Sequence, residues 1–448
     1  MRPKQQYKAR HDDLFRARLD QIINMKHALV ALADRIDWAW LDDQLADCFS
    51  DQGRPAEPVR FMIGMFLLKH TYGLSDEQVW DRWVHDPYFQ YFTGEEFFQH
   101  ELPHERSGMS HWRKRIGDKL DILLAESLRI AHDAGALKKR DLARVTVDTT
   151  VQPKNVAFPT DARLLETAIR QLGKLARAHD VPLRQSYGRV ARRAAMMAGR
   201  YAHAQQFKRM RRQIKFLRTR LGRVIRDIRR QTADDEALQE IFAVALGRAA
   251  QIRGQKQRQR GRKLYSWHAP EVECIGKGKV RTPYEFGVKV SLTITNKRCK
   301  GGQFILHAKA LPGNPYDGHT LKAVIEETEA LTGREIERVY VDKGYVGHHA
   351  PKPYRVYRSG QKRGVHGQIR KELRRRSAIE PVIGHCKSDG HLDRNFLHGR
   401  DGDQFNAVMS AVGYNLRLIL KWLRKLLCKI IAAIWAAITQ PSALKPAS

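Results

Sequence analysis

Twelve residues, YEFGVKVSLTIT at 284–295, alternate apolar and polar side chains without a break. Tyr284, Phe286, Val288, Val290, Leu292 and Ile294 fall on one face, with Glu285, Lys289, Ser291, Thr293 and Thr295 on the other. A period of two over that length fits a half-exposed β-strand and no helix. FILHAKAL at 304–311 is a second such run, close enough across NKRCKGG to pair with it antiparallel. The preceding strand pattern lies far back, in ARVTVDTT at 143–150, with Val145 and Val147 on one face and Asp148 at its end. Residues 336–342 read as a further strand, ending on Asp342, and 354–360 as another. Ahead of both, residues 320–331 form a helix on Leu321, Val324, Ile325 and Leu331, stopped by Gly333. Residues from about 367 to 387 and from 403 to 434 read as helical. The class expected is mixed, α+β or α/β.

The gap between the first two strand patterns, about 160–280, is a long basic helical stretch. Residues 161–260 hold 25 Lys+Arg against 8 Asp+Glu, so 25 − 8 gives +17 of the chain's net +33. Phe207, Met210, Ile214, Leu217, Leu221, Val224 and Ile228 step by three and four like a coiled-coil seam. Eleven Lys and Arg from Lys208 to Arg230 cover its other faces, and Asp227 is the one acid among them. This is either the solvated face of a packed hairpin or a helix that rides on phosphates; one acid cannot balance eleven cations, which favours the second. Arg211, Arg212, Lys215 and Arg218 are its candidate contacts.

Ahead of the first strand the chain reads as helical. PVRFMIGMFLLKHTYGLSDEQVWDRWV gives two helices around a turn. Phe61, Met65, Phe66 and Leu68 form the apolar part of the first, GLSDEQ supplies a glycine stop and a Ser75 cap, and Val79, Trp80 and Trp83 recur at helical spacing in the second. A third helix from about Ser110 carries HWRKRIG. Three such helices make either an ordinary bundle or a helix-turn-helix unit. On the second reading Arg113, Lys114 and Arg115 contact DNA, with Arg113 and Arg115 reading guanine, as the charge of the whole chain favours.

A lone aspartate at a strand end caps a helix or sits in a turn as readily as it does chemistry. Two on different strands of one sheet, Asp148 and Asp342, come together when corresponding strand ends lie side by side. Carboxylates held that close need a cation, and hard divalent ions prefer oxygen ligands. Two Mg2+ ions bridged by carboxylates serve phosphodiester chemistry, one activating the attacking oxygen and one stabilising the leaving oxygen. RRRSAIEPVIGHCK at 374–387 supplies a third carboxylate, Glu380, with Arg376 four residues before and Lys387 seven after. Those offsets share one face of an ideal helix, although Pro381 should kink or start the helix there.

In this arrangement the chain resembles the DDE transposases of bacterial insertion sequences, in the branch typified by insertion sequence five. Their signature Tyr-x2-Arg-x3-Glu-x6-Lys is met by Arg376, Glu380 and Lys387, while Leu373 stands at the tyrosine position. VDTTVQPKNVAFPTD, HAPEVECIGKGKVRTPYEFG, GNPYDGHTL, IEPVIGHCKSDG and RFMIGMFLLKHTYGLSDEQV agree with that branch in order, so the resemblance spans about 50–425. It implies a ribonuclease-H-like catalytic domain at 136–425 with a helical insertion at about 160–280 between its first and second strands. A helical, helix-turn-helix-like DNA-binding domain at 1–135 would precede it and a tail at 426–448 would follow. Asp148, Asp342 and Glu380 become catalytic residues and ligands of two Mg2+ ions, with Mn2+ able to substitute, and Arg376 and Lys387 join them in catalysis. The implied substrates are double-stranded DNA, the element's terminal inverted repeats and a target, handled by a homodimer or larger synaptic assembly. The implied location is cytoplasmic, at the bacterial nucleoid.

Other classes find little support. The N-terminus MRPKQQYKARHDDLF has no apolar core of a signal peptide, and IIAAIWAAI at 430–438 is too short to span a bilayer, so no membrane role is expected. Cys48, Cys274, Cys299, Cys386 and Cys428 lie far apart with no CxxC, as in a reducing compartment. His385, Cys386, His391 and His398 lack the paired spacing of a zinc site. GKGKV at 276–280 is not a nucleotide loop. His319 reads as structural or as a DNA contact near the site. Two rivals remain open: a nuclease of the same fold that hydrolyses without joining strands, and a basic DNA-binding protein whose carboxylates are structural.

Overall fold

The computed structural model describes residues 17–49, 56–257, 259, 261–276, 283–350, 352 and 355–439. Outside them lie residues 1–16 and 50–55 of the expected N-terminal domain, 277–280 of GKGKV, Tyr354 of the last expected strand, and 440–448 of the expected tail.

Helices α1 (Leu19–Ile22), α2 (Ala28–Ala33) and α3 (Trp38–Leu45) lead into α4 (Val59–Tyr72) and α5 (Asp76–His85). The turn between the last two is built as GLSDEQ suggests. Gly73 ends α4 at φ 64, and the Ser75 hydroxyl accepts from the Gln78 N–H while the Gln78 side chain accepts from the Ser75 N–H. The next helix is α6 (Pro87–Thr93), ahead of α7 (Gly108–Ile116) and α8 (Asp121–Asp133). The expected three-helix pattern therefore contains an extra helix. Asp86 caps α6 by accepting from the Tyr88 and Phe89 N–H groups, and Pro87 sits in its first turn, where a missing N–H is harmless. Helix α4 is also buried nearly all round, with Met62, Ile63 and Leu67 inside beside the expected stripe.

Strand β1 (Arg144–Pro153) is followed by four helices, α9 (Asp161–Ala178), α10 (Gly188–His203), α11 (Phe207–Gln231) and α12 (Glu236–Gly254). Then come β2 (Glu273–Gly276), β3 (Tyr284–Thr295), β4 (Ile305–Leu311), α13 (Asp317–Thr332), β5 (Arg338–Val341) and β6 (Val356–Arg358). Helices α14 (Gly367–Arg374), α15 (Ile379–Gly390) and α16 (Gly399–Thr439) complete the chain. Strand β1 runs past Asp148 to Pro153, so that aspartate is mid-strand and not terminal as expected. The 367–387 helix is split by a 3₁₀ turn at Arg375–Ala378, and Pro381 falls in the first turn of α15, so the proline marks a start.

Compactness divides the chain into residues 1–152 with 289–448, and residues 153–288. This places no boundary near 135. In the first unit α16 packs on α2, α4 and α8 as well as on β4, so the N-terminal helices share its core with the sheet. Approach is close enough that a Cβ at Gly413 would collide with the His70 carbonyl oxygen. No break occurs at 426, because no glycine or proline interrupts 414–439 and α16 continues through. The strands of this unit run in the order β4, β3, β1, β5, β6. β3 and β4 are antiparallel, as expected, and β1, β5 and β6 are mutually parallel. The edge of β4 is covered by side chains from α16. Asn415 accepts from the Ile305 N–H at 3.0 Å and donates to its carbonyl at 2.8 Å, and Gln404 accepts from the Ala310 N–H at 2.8 Å. Beyond Lys289, β3 is buried on both faces, since helices cover the sheet there. Ser291, Thr293 and Thr295 are inside, contrary to a half-exposed strand.

In the second unit β2, which the sequence did not reveal, pairs antiparallel with the start of β3. Helices α9 to α12 pack around Leu165, Ile169, Leu172, Leu217, Leu221, Val224, Ile228, Phe242 and Ile252. The anticipated seam of α11 is real from Met210 onward, while Phe207 at its start is exposed.

Candidate active site

Parallel pairing of β1 with β5 matches Arg144 to Arg338 and, three steps on, Val147 to Val341. The next residue on each strand is an aspartate, Asp148 and Asp342. Adjacent strands lie about 4.8 Å apart, so this register sets two carboxylates side by side. Without a cation between them they would repel.

That cation is Arg376, in the 3₁₀ turn before α15. Its Nη2 lies 3.0 Å from Asp148 Oδ2 and 3.4 Å from Asp342 Oδ1, and its Nη1 lies 3.9 Å from Glu380 Oε1. One guanidinium thus reaches all three acids. Asp148 is largely buried, with 17% of its side chain exposed, whereas Asp342 and Glu380 open to solvent at 48% and 67%. Burial pushes the Asp148 carboxyl above its ordinary value, while Arg376 and the Thr149 N–H, which donates to Oδ1 at 2.9 Å, pull it down. Lys387 lies on α15 two turns past Glu380, half-buried. At 100° per residue the seven-residue offset keeps the two on one helix face.

Two further groups meet this centre that sequence reading passed over. Asp317, the first residue of α13, accepts at Oδ1 from the Thr149 hydroxyl at 3.2 Å and from Lys289 Nζ at 3.0 Å. Tyr345, in the turn after β5, is 1% exposed, and among the described residues its hydroxyl has no hydrogen-bond partner. Burial, then the charges of Asp148, Asp317 and Asp342, hold that phenol protonated well above its ordinary range. A tyrosine therefore does approach the carboxylates, from VDKGYVG and not from the position of Leu373. The visible signals were the GNPYDGHTL block and the tyrosine three residues after Asp342. His319 stacks on His349 at 5.0 Å and meets Tyr316 edge-on at 5.3 Å.

The donor set suits a hard divalent cation, being carboxylate oxygen throughout. Among the described residues no three His, Cys, Asp or Glu side chains are gathered as metal ligands would be. Arg376 stands where positive charge is required.

The expected DNA contacts divide by helix face. Met109, Trp112 and Ile116 of α7 point inward, and Arg113 goes with them. It pairs with Asp76, its guanidinium lies over the rings of Phe66 and Phe405, and 10% of its side chain is exposed. Asp76 also holds Lys69 at 2.6 Å. Arg113 is thus a cation of the core, and the base contact expected of it is withdrawn. Lys114 and Arg115 are exposed, the latter over the rings of Phe49 and Trp112. In the second unit Arg211, Arg212 and Lys215 are exposed on α11. Arg218 is half-buried, donating to the Gln255 carbonyl at 2.9 Å and lying 3.7 Å from Asp161. Arg211, Lys215 and Arg218 line a cleft of about 1200 Å³ between α9, α10 and α11.

Comparison with known proteins gives two family matches. Residues 17–115 match a family described as a transposase domain (DUF772), and residues 252–416 match one described as a transposase DDE domain. Asp342, Arg376, Glu380 and Lys387 fall inside the second match and Asp148 outside both. The chain is 50% identical over 208 residues to a protein of Rhizobium meliloti described as uncharacterised protein ORF8 in the nfe locus, covering 46% of this chain and 100% of that relative. No solved structure matches.

Proposed function

Because this chain belongs to the DDE-type transposases of bacterial insertion sequences, enzymes that cut DNA and transfer its strands with divalent metal, we propose that Asp148, Asp342 and Glu380 are its catalytic acids. The sheet and its flanking helices are read as ribonuclease-H-like, with a helical insertion at about 160–280 after the first strand. The observation that carries the assignment is the β1–β5 register, which sets Asp148 beside Asp342, together with one guanidinium reaching all three acids.

The three carboxylates would hold two Mg2+ or Mn2+ ions. Bound there, such ions supply an activated attacking oxygen and a stabilised leaving oxygen. The residues do the rest. Arg376 balances the acids in the free protein and grips a DNA phosphate in the complex, with Lys387 beside it on α15. Asp342 and Glu380, more exposed than Asp148, face the incoming strand. The reaction proposed is hydrolysis at each terminal inverted repeat to free a 3′-hydroxyl, which then attacks target DNA. A homodimer or larger assembly would hold the two ends. Lys114 and Arg115 on the helix-turn-helix-like N-terminal part would contact the repeat, and Arg211, Arg212, Lys215 and Arg218 the phosphate backbone.

The test is a strand-transfer assay with purified protein, Mg2+, labelled candidate ends and a target plasmid. The expected result is labelled ends joined to the plasmid. Cleaved ends that never join would favour the nuclease reading.

A further inference from the structure

Asp317 is unexplained by the three acids, yet it is tied to the first of them. Its Oδ1 accepts from the Thr149 hydroxyl at 3.2 Å, and the Thr149 N–H donates to Asp148 Oδ1 at 2.9 Å. Thr149 is therefore held by one carboxylate through its side chain and holds the other through its backbone. Lys289 on β3, with 13% of its side chain exposed, anchors the far end by donating to Asp317 Oδ1 at 3.0 Å and to the Pro315 carbonyl at 2.7 Å. On the other side, Asp317 Oδ2 faces the turn after Asp342, 3.8 Å from where a Cβ on Gly344 would stand. The bonds that Oδ1 accepts come from β1 and β3, so this aspartate does more than begin α13.

We propose that Asp317 is a positioning residue of the active centre: anchored by Lys289, it fixes Thr149 and through it the orientation of Asp148. The proposal rests on Asp148 being a catalytic acid. Asp148 is largely buried and its Oδ2 is taken by Arg376, so the orientation of Oδ1 depends on Thr149. Losing an outer partner of a ligating carboxylate costs about 10- to 100-fold in metal affinity or activity.

The experiment uses the full chain with Asp317→Ala, Thr149→Val, Thr149→Ser, the Asp317→Ala/Thr149→Val double variant, and Asp342→Ala as the control. Single-turnover cleavage at saturating DNA is measured beside Mn2+ affinity from electron paramagnetic resonance. Asp317→Ala and Thr149→Val are each expected to lose about 10- to 100-fold in rate and to bind Mn2+ more weakly. Thr149→Ser, which keeps the hydroxyl, should behave as the unmodified chain. The double variant should be no worse than the poorer single one, because both act through one path. If Asp317→Ala does not fold, Thr149→Val against Thr149→Ser decides alone. Unchanged rate and Mn2+ affinity in both Asp317→Ala and Thr149→Val, with Asp342→Ala inactive, would overturn the proposal. A fully active Asp342→Ala would instead overturn the reading of the site on which it rests.

Discussion

Charge is handled in opposite ways by the end of the β1–β5 pair and by the helices of residues 153–288. Around the end of that pairing, Asp148, Asp342, Glu380 and Asp317 each lie within 4 Å of Arg376 or Lys289. Each sits on a strand, at a strand end or in the first turn of a helix, where backbone pairing decides its place. On α11 the cations Arg211, Arg212 and Lys215 stand exposed along one helix, in a stretch where basic residues outnumber acids 25 to 8. A group that must meet a reacting atom needs position, and position comes from register. A group that meets a polyanion needs number, because the field of a phosphate backbone is spread along its length. Substitutions of the three acids Asp148, Asp342 and Glu380 should therefore be all-or-none, and those in the second region graded.

The largest effect is expected from Asp148→Ala and Asp342→Ala. Each should abolish cleavage while DNA affinity, measured by fluorescence anisotropy, stays near that of the unmodified chain. A graded loss would blur the comparison. In the second region, binding should weaken steeply with salt, with log K against log[salt] sloping at about −9 if about ten phosphates are neutralised. Changing Arg211, Arg212 and Lys215 together to Gln should flatten that slope by about 3 units, about 0.9 for each contact removed. An unchanged slope would make this face merely solvated. Smallest, and most useful for sharpening the contrast, is Arg113. It sits in a basic triplet but is built like the first region, buried and paired with Asp76. Arg113→Ala should lower unfolding stability by about 1–3 kcal/mol, as leaving a buried partner unsatisfied does. It should leave the preference for element ends over random duplex unchanged. Lys114→Gln and Arg115→Gln should leave stability within about 0.5 kcal/mol. A selectivity loss confined to Arg113→Ala would restore it as a base reader.

What could be read ahead of the structure follows the same division. Local signals were legible: the alternation that makes β3, the Gly73 stop, the Ser75 cap, and the α13 run ended by Gly333. Asp148 and Asp342 could be paired because each follows an apolar strand pattern and strands of one sheet align. Features made by neighbours far along the chain were hidden. Ser291, Thr293 and Thr295 look like a solvent face and are buried because helices cover the sheet. Arg113 looks like its neighbours and differs only because Asp76, Phe66 and Phe405 converge on it. Strand β2 has four residues and no periodicity of its own, and exists through pairing with β3. Asp317 showed only as one letter of the GNPYDGHTL block, and its hydrogen bond to Thr149 joins residues 168 positions apart.

The most direct test of the central claim is an anomalous-scattering map from crystals of the full chain grown with Mn2+ and a DNA end. The account predicts Mn2+ peaks bound by Asp148, Asp342 and Glu380, with Arg376 turned from the carboxylates toward a phosphate. Mn2+ bound elsewhere, with Arg376 still joining the three acids over a cleavable DNA end, would contradict it.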